Sequence, residues 1–449
     1  MFNTGDNNEI LSYVQDLLLE EQMIQENYQA IQSERLVSLV KHAYDNVDFY
    51  RKKYDAAGIR PEDIKSVDDI CRLPLVTKED LKVNFPILAN NLTAKDCQVF
   101  GTTGSTGSPL KIYRQNGPSP VPYIQELLPR VIDILSRSQG TLKVSTALVT
   151  GNEVAENLIA HTVELTSKLA SVQMQYLDAH DDTEYILDKL NEHKPNLLGT
   201  YPSVLKNLAL LCRQKGMTPP QPELLVCSAE ILDTHSRRII GEVFQGDIIN
   251  AYACTEAEVI ALECFEHQGL HIQCGEVILE LLEDGKPVPP GKPGRVVVTN
   301  LRNMATPIIR YSGLQDVAVL SSGECSCSSK LPILDRVEGR MIDSIVLADG
   351  TIIHPFKLTM AMEPIPSLAK FQIIQETTSA LRVLVVSEEV KSSNNRANVN
   401  GSLLDMVVNN LANVLNSSVT ITVEKVEDIP PAPGSSGHAL VKCLVNNPS

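Results

Sequence analysis

The strongest constraint on the fold is an alternation of short apolar runs with helical stretches between residues 142 and 252. The apolar runs are 142–150, 196–200, 224–228 and 248–252, and the helical stretches between them are 152–169, 202–215 and 234–245. Alternation of this kind is typical of a largely parallel sheet whose ligand binds at the carboxyl ends of the strands.

Other patterns flank this region. Apolar spacing predicts helices over 9–31 and about 36–47, and an antiparallel hairpin is predicted from 277–282 and 294–300. After Gly339 the predicted elements are strands at 344–347, 370–376, 380–387 and 419–425 and a helix over 402–416. Because 449 residues exceed what one core usually supports, we predict an α/β fold with a large N-terminal domain over 1–339 and a small α+β C-terminal domain over 340–449.

Residues 102–112 form a loop of hydroxyl side chains and glycines. The loop contains Thr102, Thr103, Gly104, Ser105, Thr106 and Gly107, followed by Pro109 and Lys111. Glycine lets backbone N–H groups approach a ligand, and successive N–H groups with added hydroxyls can bind an anion such as a nucleotide polyphosphate. No Gly-Lys-Ser/Thr follows, so this is not the P-loop of kinase-like NTPases. A flexible linker is the alternative for this composition.

With this loop and two further segments, 35–50 and 73–80, the chain resembles the adenylate-forming superfamily, and within it the phenylacetate-CoA ligase and CapK-like branch. The resemblance continues to about residue 435. It implies an adenylation (AMP-binding) domain followed by a small mobile domain. It also implies an enzyme that activates a small carboxylic acid with ATP and Mg²⁺ as an acyl-adenylate and transfers the acyl group to a thiol, expected to be that of CoA. A homodimer is a further implication of the branch.

The segment Ala251-Tyr-Ala-Cys-Thr-Glu256 follows a predicted strand. The resemblance implies that Tyr252 stacks on adenine, that Thr255 donates a hydrogen bond to the α-phosphate and that Glu256 supplies an oxygen ligand to Mg²⁺. The alternative is a helix N-terminus that Thr255 caps.

Two later residues resemble ribose and phosphate contacts of the family. Asp316 ends Arg310-Tyr-Ser-Gly-Leu-Gln-Asp316 and can accept hydrogen bonds from both ribose hydroxyls. Ser312 stands where arginine is frequent, and one extra residue precedes the aspartate. Arg340 is the candidate for a ribose or phosphate contact, with an interdomain salt bridge as the alternative. Residues 341–343 lie at the family's hinge.

A second constellation consists of thiols and imidazoles. Cys264, His271, Cys325 and Cys327 can form a tetrahedral Cys₃His shell for a structural Zn²⁺, with His267 as the alternative fourth ligand. Unrelated thiols and a histidine are the other interpretation.

The acid-binding pocket is predicted only by analogy of position. Tyr201, Ser228, Ala229 and Glu230 follow predicted strands where relatives line the carboxylate substrate's cavity. Tyr201 and Ser228 are equally compatible with core or cap roles.

The C-terminal loop departs from the family pattern. His438 occupies the position of the catalytic lysine that contacts the carboxylate and phosphate during adenylation, and Lys442 lies four residues further on. Imidazole is shorter and largely neutral at pH 7. The rivals to an acid–CoA ligase are therefore an adenylating amide or ester synthetase or carrier-protein loader, and a nucleotide-binding pseudoenzyme.

Charge and targeting signals exclude several classes. The formal net charge of −16 argues against a nucleic-acid surface and gives no reason to invoke an anionic membrane. The first residues carry neither a basic segment nor an apolar one, and no apolar run approaches transmembrane length. We expect a cytoplasmic enzyme whose ten cysteines are thiols or metal ligands.

Overall fold

The computed structural model describes residues 7–101, 110–115, 133–134, 137–138, 141–148, 171–327, 329–365, 367–387, 399–415, 419–429 and 440–445. The α-helices are α1 Asn7–Asn46, α2 Asp48–Ala56, α3 Lys78–Val83, α4 Thr183–His193, α5 Pro202–Lys215, α6 Thr234–Gly241, α7 Pro355–Met362 and α8 Val399–Leu415. The strands before residue 340 are β1 Cys97–Gly101, β2 Lys111–Gln115, β3 Thr141–Leu148, β4 Ser171–Asp178, β5 Leu197–Thr200, β6 Leu224–Ser228, β7 Asp247–Cys254, β8 Glu258–Glu263, β9 Leu270–Ile272, β10 Val277–Glu283, β11 Lys286–Pro287, β12 Pro293–Asn300, β13 Ile308–Tyr311, β14 Asp316–Leu320 and β15 Ile333–Arg340. The later strands are β16 Ile345–Val346, β17 Ile352–Ile353, β18 Leu368–Thr377, β19 Ala380–Ser387, β20 Thr420–Lys425 and β21 Val441–Cys443.

A 13-stranded mixed sheet runs through the part before residue 340. Its order is β4-β3-β5-β6-β7-β8-β9-β15-β14-β12-β10-β11, with β13 paired to β12. The strands from β4 to β7 are parallel, and the remaining pairings are antiparallel. The predicted parallel sheet is therefore one part of a larger sheet, and the predicted hairpin of β10 and β12 lies in its antiparallel part.

Helix α5 illustrates why the predicted elements form. Pro202 stands at its first turn, where a missing N–H costs nothing, and Gly216 ends it with a φ of +67°. Leu205, Leu208 and Cys212 lie on one face and are buried in a cluster shared with β5 and β6. The helix has the predicted bounds, 202–215. Strand β4 escaped prediction because its apolar and polar residues alternate at the edge of the sheet, where most side chains are only half-buried.

The N-terminal region contains two helical segments, as predicted, but the break between them lies earlier than expected. The helix α1 spans both segments and is interrupted at Asn27, whose backbone angles (φ −156°, ψ 68°) are not helical, whereas the sequence predicts the break between residues 31 and 36. The second half buries Leu36, Leu39 and Val40 against the large sheet. Helix α2 adds Tyr50, whose hydroxyl donates to the carbonyl of Pro307 at 2.7 Å.

The part after residue 344 has its own apolar core. A four-stranded sheet with the order β20-β19-β18-β21 is covered by α7 and α8. Strands β18 and β19 are antiparallel, while β21 and β20 pair with them in parallel. The predicted strands and helix are present, with α8 beginning at Val399.

Three sequence predictions fall outside the described residues, namely the glycine-rich loop over 102–107, the helix over 152–169 and the candidate His438. Across the described helices, none combines the length and hydrophobicity that crossing a bilayer requires.

Candidate active site

The strands β1 and β2 bracket the glycine-rich loop. They form an antiparallel pair in which Gly101 is the register partner of Lys111, so the residues between them connect two adjacent strand ends. Lys111 is exposed at this end of the pair. The loop's own candidates, Thr102 to Gly107, lie outside the described residues.

Thr255 and Glu256 lie in a turn between two antiparallel strands. The turn covers 255–257 and joins β7 to β8. No helix begins here, so the alternative in which Thr255 caps a helix is wrong. Glu258 closes the turn with a φ of +61°, a conformation that non-glycine residues adopt only where surrounding contacts hold them.

Glu256 is a buried carboxylate in a polar pocket. The hydroxyl of Tyr311 donates a hydrogen bond to its Oε1 at 2.9 Å. Burial raises the pKa of Glu256, while Tyr311 and the nearby Lys78 lower it. A buried anion of this kind is stabilised by a cation, and a hard carboxylate oxygen suits Mg²⁺.

Asp316 is a second carboxylate of the site, half-buried at the start of β14. The hydroxyl of Tyr252 donates to its Oδ2 at 2.6 Å. The pKa of Asp316 is raised to about 6, because burial and the charge of Glu256, which raise it, outweigh the hydrogen bond from Tyr252 and the charge of Arg340, which lower it. Each of the two carboxylates is thus tied to one tyrosine hydroxyl.

Arg340 lies opposite Asp316 in the register of β14 and β15. Its Nε donates to Oδ2 of Asp343 at 2.7 Å. This ion pair joins residues three positions apart, and the guanidinium stays half-exposed.

Three residues near Glu256 escaped the sequence analysis. Tyr311 is inside the quoted segment ending at Asp316, yet nothing local indicates a partner 55 positions away. Lys78 lies in the segment 73–80 that carries part of the resemblance, and Val76 of the same segment forms a β-bridge with Tyr311. Arg114 lies in β2. The sequence feature that could have identified it is its position three residues after Lys111.

Arg114 connects the loop-bearing strand pair to the Glu256 turn. Its Nη2 donates to the carbonyl of Thr255, and its Nη1 lies 3.3 Å from Oε1 of Glu258. The guanidinium also lies 4.3 Å from the centroid of the Phe100 ring, a cation–π distance. Arg114 therefore contacts both ends of the turn that carries Glu256.

The predicted acid pocket residues have mixed environments. Tyr201 is fully buried in the apolar cluster around α5, which matches the core alternative. Glu230 accepts hydrogen bonds from N and Oγ of Ser203, both at 2.9 Å, at the start of α5. Ser228 ends β6, and Ala229 follows it with a φ of +67°.

The four predicted metal ligands come together. Cys264 follows β8, His271 lies in β9, and Cys325 and Cys327 lie between β14 and β15. Their ligand atoms all lie within 4.8 Å of one another, with 3.6 Å between Sγ of Cys264 and of Cys325 and 3.4 Å between Sγ of Cys327 and Nε2 of His271. Ligands at about 2.0–2.3 Å around a tetrahedral Zn²⁺ are about 3.3–3.8 Å apart.

His267, the alternative ligand, points elsewhere. Its Nδ1 lies 3.3 Å from Oε1 of Glu263, and it is not a member of the cluster. Gly269 lets the chain turn between the two histidines, since at its φ of +109° a Cβ would lie 2.5 Å from Cγ2 of Ile333.

The C-terminal candidates are only partly described. His438 lies outside the described residues. Lys442 is an exposed residue of β21, and its side chain forms no ion pair with any residue the structure describes.

Known proteins are similar to this chain over most of its length. The family model of the CapK C-terminal domain matches residues 345–442. A phenylacetate-coenzyme A ligase of Thermus thermophilus is 25% identical over 446 residues, covering 94% of this chain and 98% of that protein. Protein CapK of Staphylococcus aureus is 22% identical over 371 residues, covering 81% of this chain and 80% of that protein.

A solved structure shares the fold. 2-Hydroxyisobutyryl-CoA ligase in the postadenylation state with 2-HIB-AMP has a TM-score of 0.77 at 19% identity, covering 94% of this chain and 90% of that one. The same ligase in its thioesterification state, with 2-HIB-AMP and CoA, has a TM-score of 0.60 at 20% identity, covering 91% and 88%. The predicted fold class, with a large α/β part and a small C-terminal part, is confirmed by this likeness.

Proposed function

Since the chain resembles the phenylacetate-CoA ligase and CapK branch of the adenylate-forming superfamily in sequence and in fold, we propose that it is an AMP-forming carboxylic acid–CoA ligase. The observation that carries the proposal is the pair of carboxylates, the buried Glu256 and the half-buried Asp316, each hydrogen-bonded to a tyrosine hydroxyl. The strand pair that brackets the glycine-rich loop lies next to the Glu256 turn, through Arg114.

In the first half-reaction, a carboxylate oxygen of the acid attacks the α-phosphorus of ATP. The bond to pyrophosphate breaks, and an acyl-adenylate forms. Glu256 would hold Mg²⁺, which neutralises phosphate charge when it is bound. Thr255 would donate to the α-phosphate, and Lys111 with the loop residues Thr102 to Gly107 would bind the other phosphates.

Nucleoside recognition would rest on Tyr252 and Asp316. The hydroxyl of Tyr252 donates to Asp316, which fixes the position of the ring, and the ring would stack on adenine. Asp316 would accept hydrogen bonds from the ribose hydroxyls, and Arg340 would contact ribose or phosphate. Ser228 and Ala229 would line the acid pocket, whereas Tyr201 and Glu230 would support it from the core and from the start of α5.

In the second half-reaction, the CoA thiolate attacks the acyl carbon. AMP leaves with the electron pair of the mixed-anhydride bond, and the thiol proton goes to solvent. A division into domains over 1–339 and 340–449 would allow the smaller one to move between the two steps. The separate apolar core after residue 344 supports this division.

Zn²⁺ is proposed as a structural ion. The donor set of three thiols and one imidazole, gathered from three chain segments, fits its chemistry. Cys264, His271, Cys325 and Cys327 would fill the shell, which leaves no open position for catalysis. The ion would tie the loop between β14 and β15 to the β8–β9 hairpin.

A pseudoenzyme is the second candidate, favoured by one observation. His438 stands at the lysine position, and Lys442, the nearest replacement, is an exposed residue of an edge strand. An amide or ester synthetase, or a carrier-protein loader, would keep the first half-reaction and change the acceptor. The homodimer and the cytoplasmic location stay predictions.

Pyrophosphate release tests the proposal. Mg-ATP is incubated with a panel of aryl and alkyl acids, with and without CoA, and acyl-CoA is detected by mass spectrometry. Release that depends on one acid, with acyl-CoA as product, supports the ligase. Adenylation without any acyl-CoA favours another acceptor, and ATP binding without release favours the pseudoenzyme.

A further inference from the structure

The small C-terminal part contacts the large sheet through helix α7. At its start, Pro355 packs on Gly339, where an added Cβ would lie 3.0 Å from Cγ of Pro355. The φ of Gly339 is +102°, so this position suits glycine on both grounds. The guanidinium of Arg336 on β15 lies 5.2 Å from the centroid of the Phe356 ring.

The other end of α7 contacts helix α6. Oε1 of Glu363, the residue after α7, accepts a hydrogen bond from the backbone N–H of Thr234 at 3.2 Å. Thr234 is the first residue of α6, whose first-turn N–H groups lack partners within the helix. The helix dipole favours a negative charge at this point. Beside this contact, the buried His235 lies next to the backbone of Leu368.

All of these contacts span the hinge segment at 340–343. Gly339, Arg336 and Thr234 belong to the part before it, and their partners belong to the part after it. A rotation of the small part about the hinge would break them together, since packed interfaces have discrete arrangements.

The arrangement corresponds to one of two states of a similar fold. The chain superposes on 2-hydroxyisobutyryl-CoA ligase better in the postadenylation state, with a TM-score of 0.77, than in the thioesterification state, with 0.60. Because both comparisons involve the same ligase, the difference in TM-score reflects how the small C-terminal part is arranged relative to the large one.

We propose that Glu363 and Phe356 are positioning residues for the first half-reaction only. They hold the small part against β15 and α6 while the adenylate forms, and both contacts open before the thioester forms. The inference rests on the proposed two-step function. Breaking a contact that exists in one state shifts the population toward the other state by the free energy of that contact.

Glu363→Ala tests the proposal by separating the half-reactions. Because the variant removes the acceptor of the Thr234 amide, we expect acyl-adenylate formation, measured as single-turnover pyrophosphate release without CoA, to fall about tenfold. Thioester formation from supplied acyl-adenylate and CoA is expected to stay within about twofold of the unmodified protein or to rise. Glu363→Gln keeps an acceptor oxygen and should recover part of the loss.

Glu376→Ala is the matched control. Glu376 pairs with Arg382 on the surface of the same small part, at 2.8 Å, and reaches neither β15 nor α6. Both half-reactions are expected to be unchanged. Phe356→Leu keeps apolar packing and removes the cation–π contact. It should also slow acyl-adenylate formation selectively, but by less than Glu363→Ala.

Hydrogen–deuterium exchange gives a readout that needs no substrate. The amide of Thr234 should exchange faster in Glu363→Ala, with no change in Glu376→Ala. If the unmodified protein activates no acid, the proposed function fails while this measurement still reports the contact. Equal losses in both half-reactions, or unchanged exchange at Thr234, would overturn the inference.

Discussion

At the residue scale, the proposed site is built around two carboxylates. Burial makes the charged form of each of them less favourable. Burial raises the pKa of both Glu256 and Asp316, and the negative charge of Glu256 raises that of Asp316 further. Each is kept in place by one tyrosine hydroxyl. Such groups cost stability in the absence of a ligand and are stabilised by a cation or by donor hydroxyls, so they are typical of binding sites.

Tyr311→Phe tests the support of Glu256. It removes the hydroxyl that donates to Oε1 at 2.9 Å, and a hydrogen bond to a charged group contributes about 1.5–3 kcal/mol. We expect acid-dependent pyrophosphate release to fall about tenfold, with a weaker dependence on Mg²⁺. Tyr185→Phe, at an exposed position on α4, is the control and should leave the rate unchanged. Equal rates for both variants would contradict the role of Tyr311.

Asp316→Asn tests the pH dependence of stability. The pKa of Asp316 is raised from 3.8 to about 6, so the folded chain holds this proton more tightly than the unfolded chain. Its stabilising contribution is complete below about pH 4 and is lost as the pH rises through about 6. In denaturant unfolding we expect Asp316→Asn to be about 1–3 kcal/mol more stable than the parent at pH 7.5, and no more stable near pH 4. An advantage that is equal at both pH values would exclude Asp316 as its cause.

At the element scale, two connections hold the site in place. Arg114 ties the strand pair that brackets the glycine-rich loop to the turn after β7. The thiol–imidazole cluster ties the far end of the β14–β15 hairpin, whose near end pairs Asp316 with Arg340. Both connections join segments that are distant in sequence, and these segments carry residues of the proposed nucleotide site.

Arg114→Gln should loosen the Glu256 turn without unfolding the chain. The side chain contacts the carbonyl of Thr255 and the carboxylate of Glu258, so its loss lets the strained turn relax. We expect the KM for ATP to rise about tenfold with a smaller change in kcat, because positioning of the turn precedes chemistry. Arg51→Gln, which breaks an exposed pair with Asp48 on α2, serves as control. A change confined to the unfolding midpoint would show that Arg114 is purely structural.

Metal analysis tests the thiol–imidazole cluster. We expect about one Zn²⁺ per chain, lost in Cys325→Ser and in His271→Ala. His267→Ala should retain the ion, because His267 pairs with Glu263. Cys71→Ser, at an exposed thiol, is the second control. Zinc retained in His271→Ala and lost in His267→Ala would contradict the assigned shell.

At the scale of the whole molecule, local patterns and long-range pairings were predictable to different degrees. Strand β6 and helix α5 have the predicted bounds because their apolar spacing and end residues are local signals. The pairing of β9 with β15 and the contact of Tyr311 with Glu256 join distant segments. Such contacts depend on the assembled sheet, which periodicity does not encode.

The candidate site shows the same division. Side-chain chemistry alone predicts the four proposed zinc ligands, and their ligand atoms lie within 4.8 Å of one another. Arg114, Lys78 and Tyr311 were missed because an arginine, a lysine and a tyrosine are common on strands and helix ends, and only their neighbours in space give them a role.

Isotope transfer from the acid to AMP tests the central claim most directly. An acid that supports pyrophosphate release is supplied with both carboxyl oxygens as ¹⁸O, together with Mg-ATP and CoA, and AMP is analysed by mass spectrometry. An acyl-adenylate pathway transfers one carboxyl oxygen to the phosphate, so we predict AMP that carries one ¹⁸O and acyl-CoA that keeps the other. Unlabelled AMP, or ADP as the nucleotide product, would contradict the account.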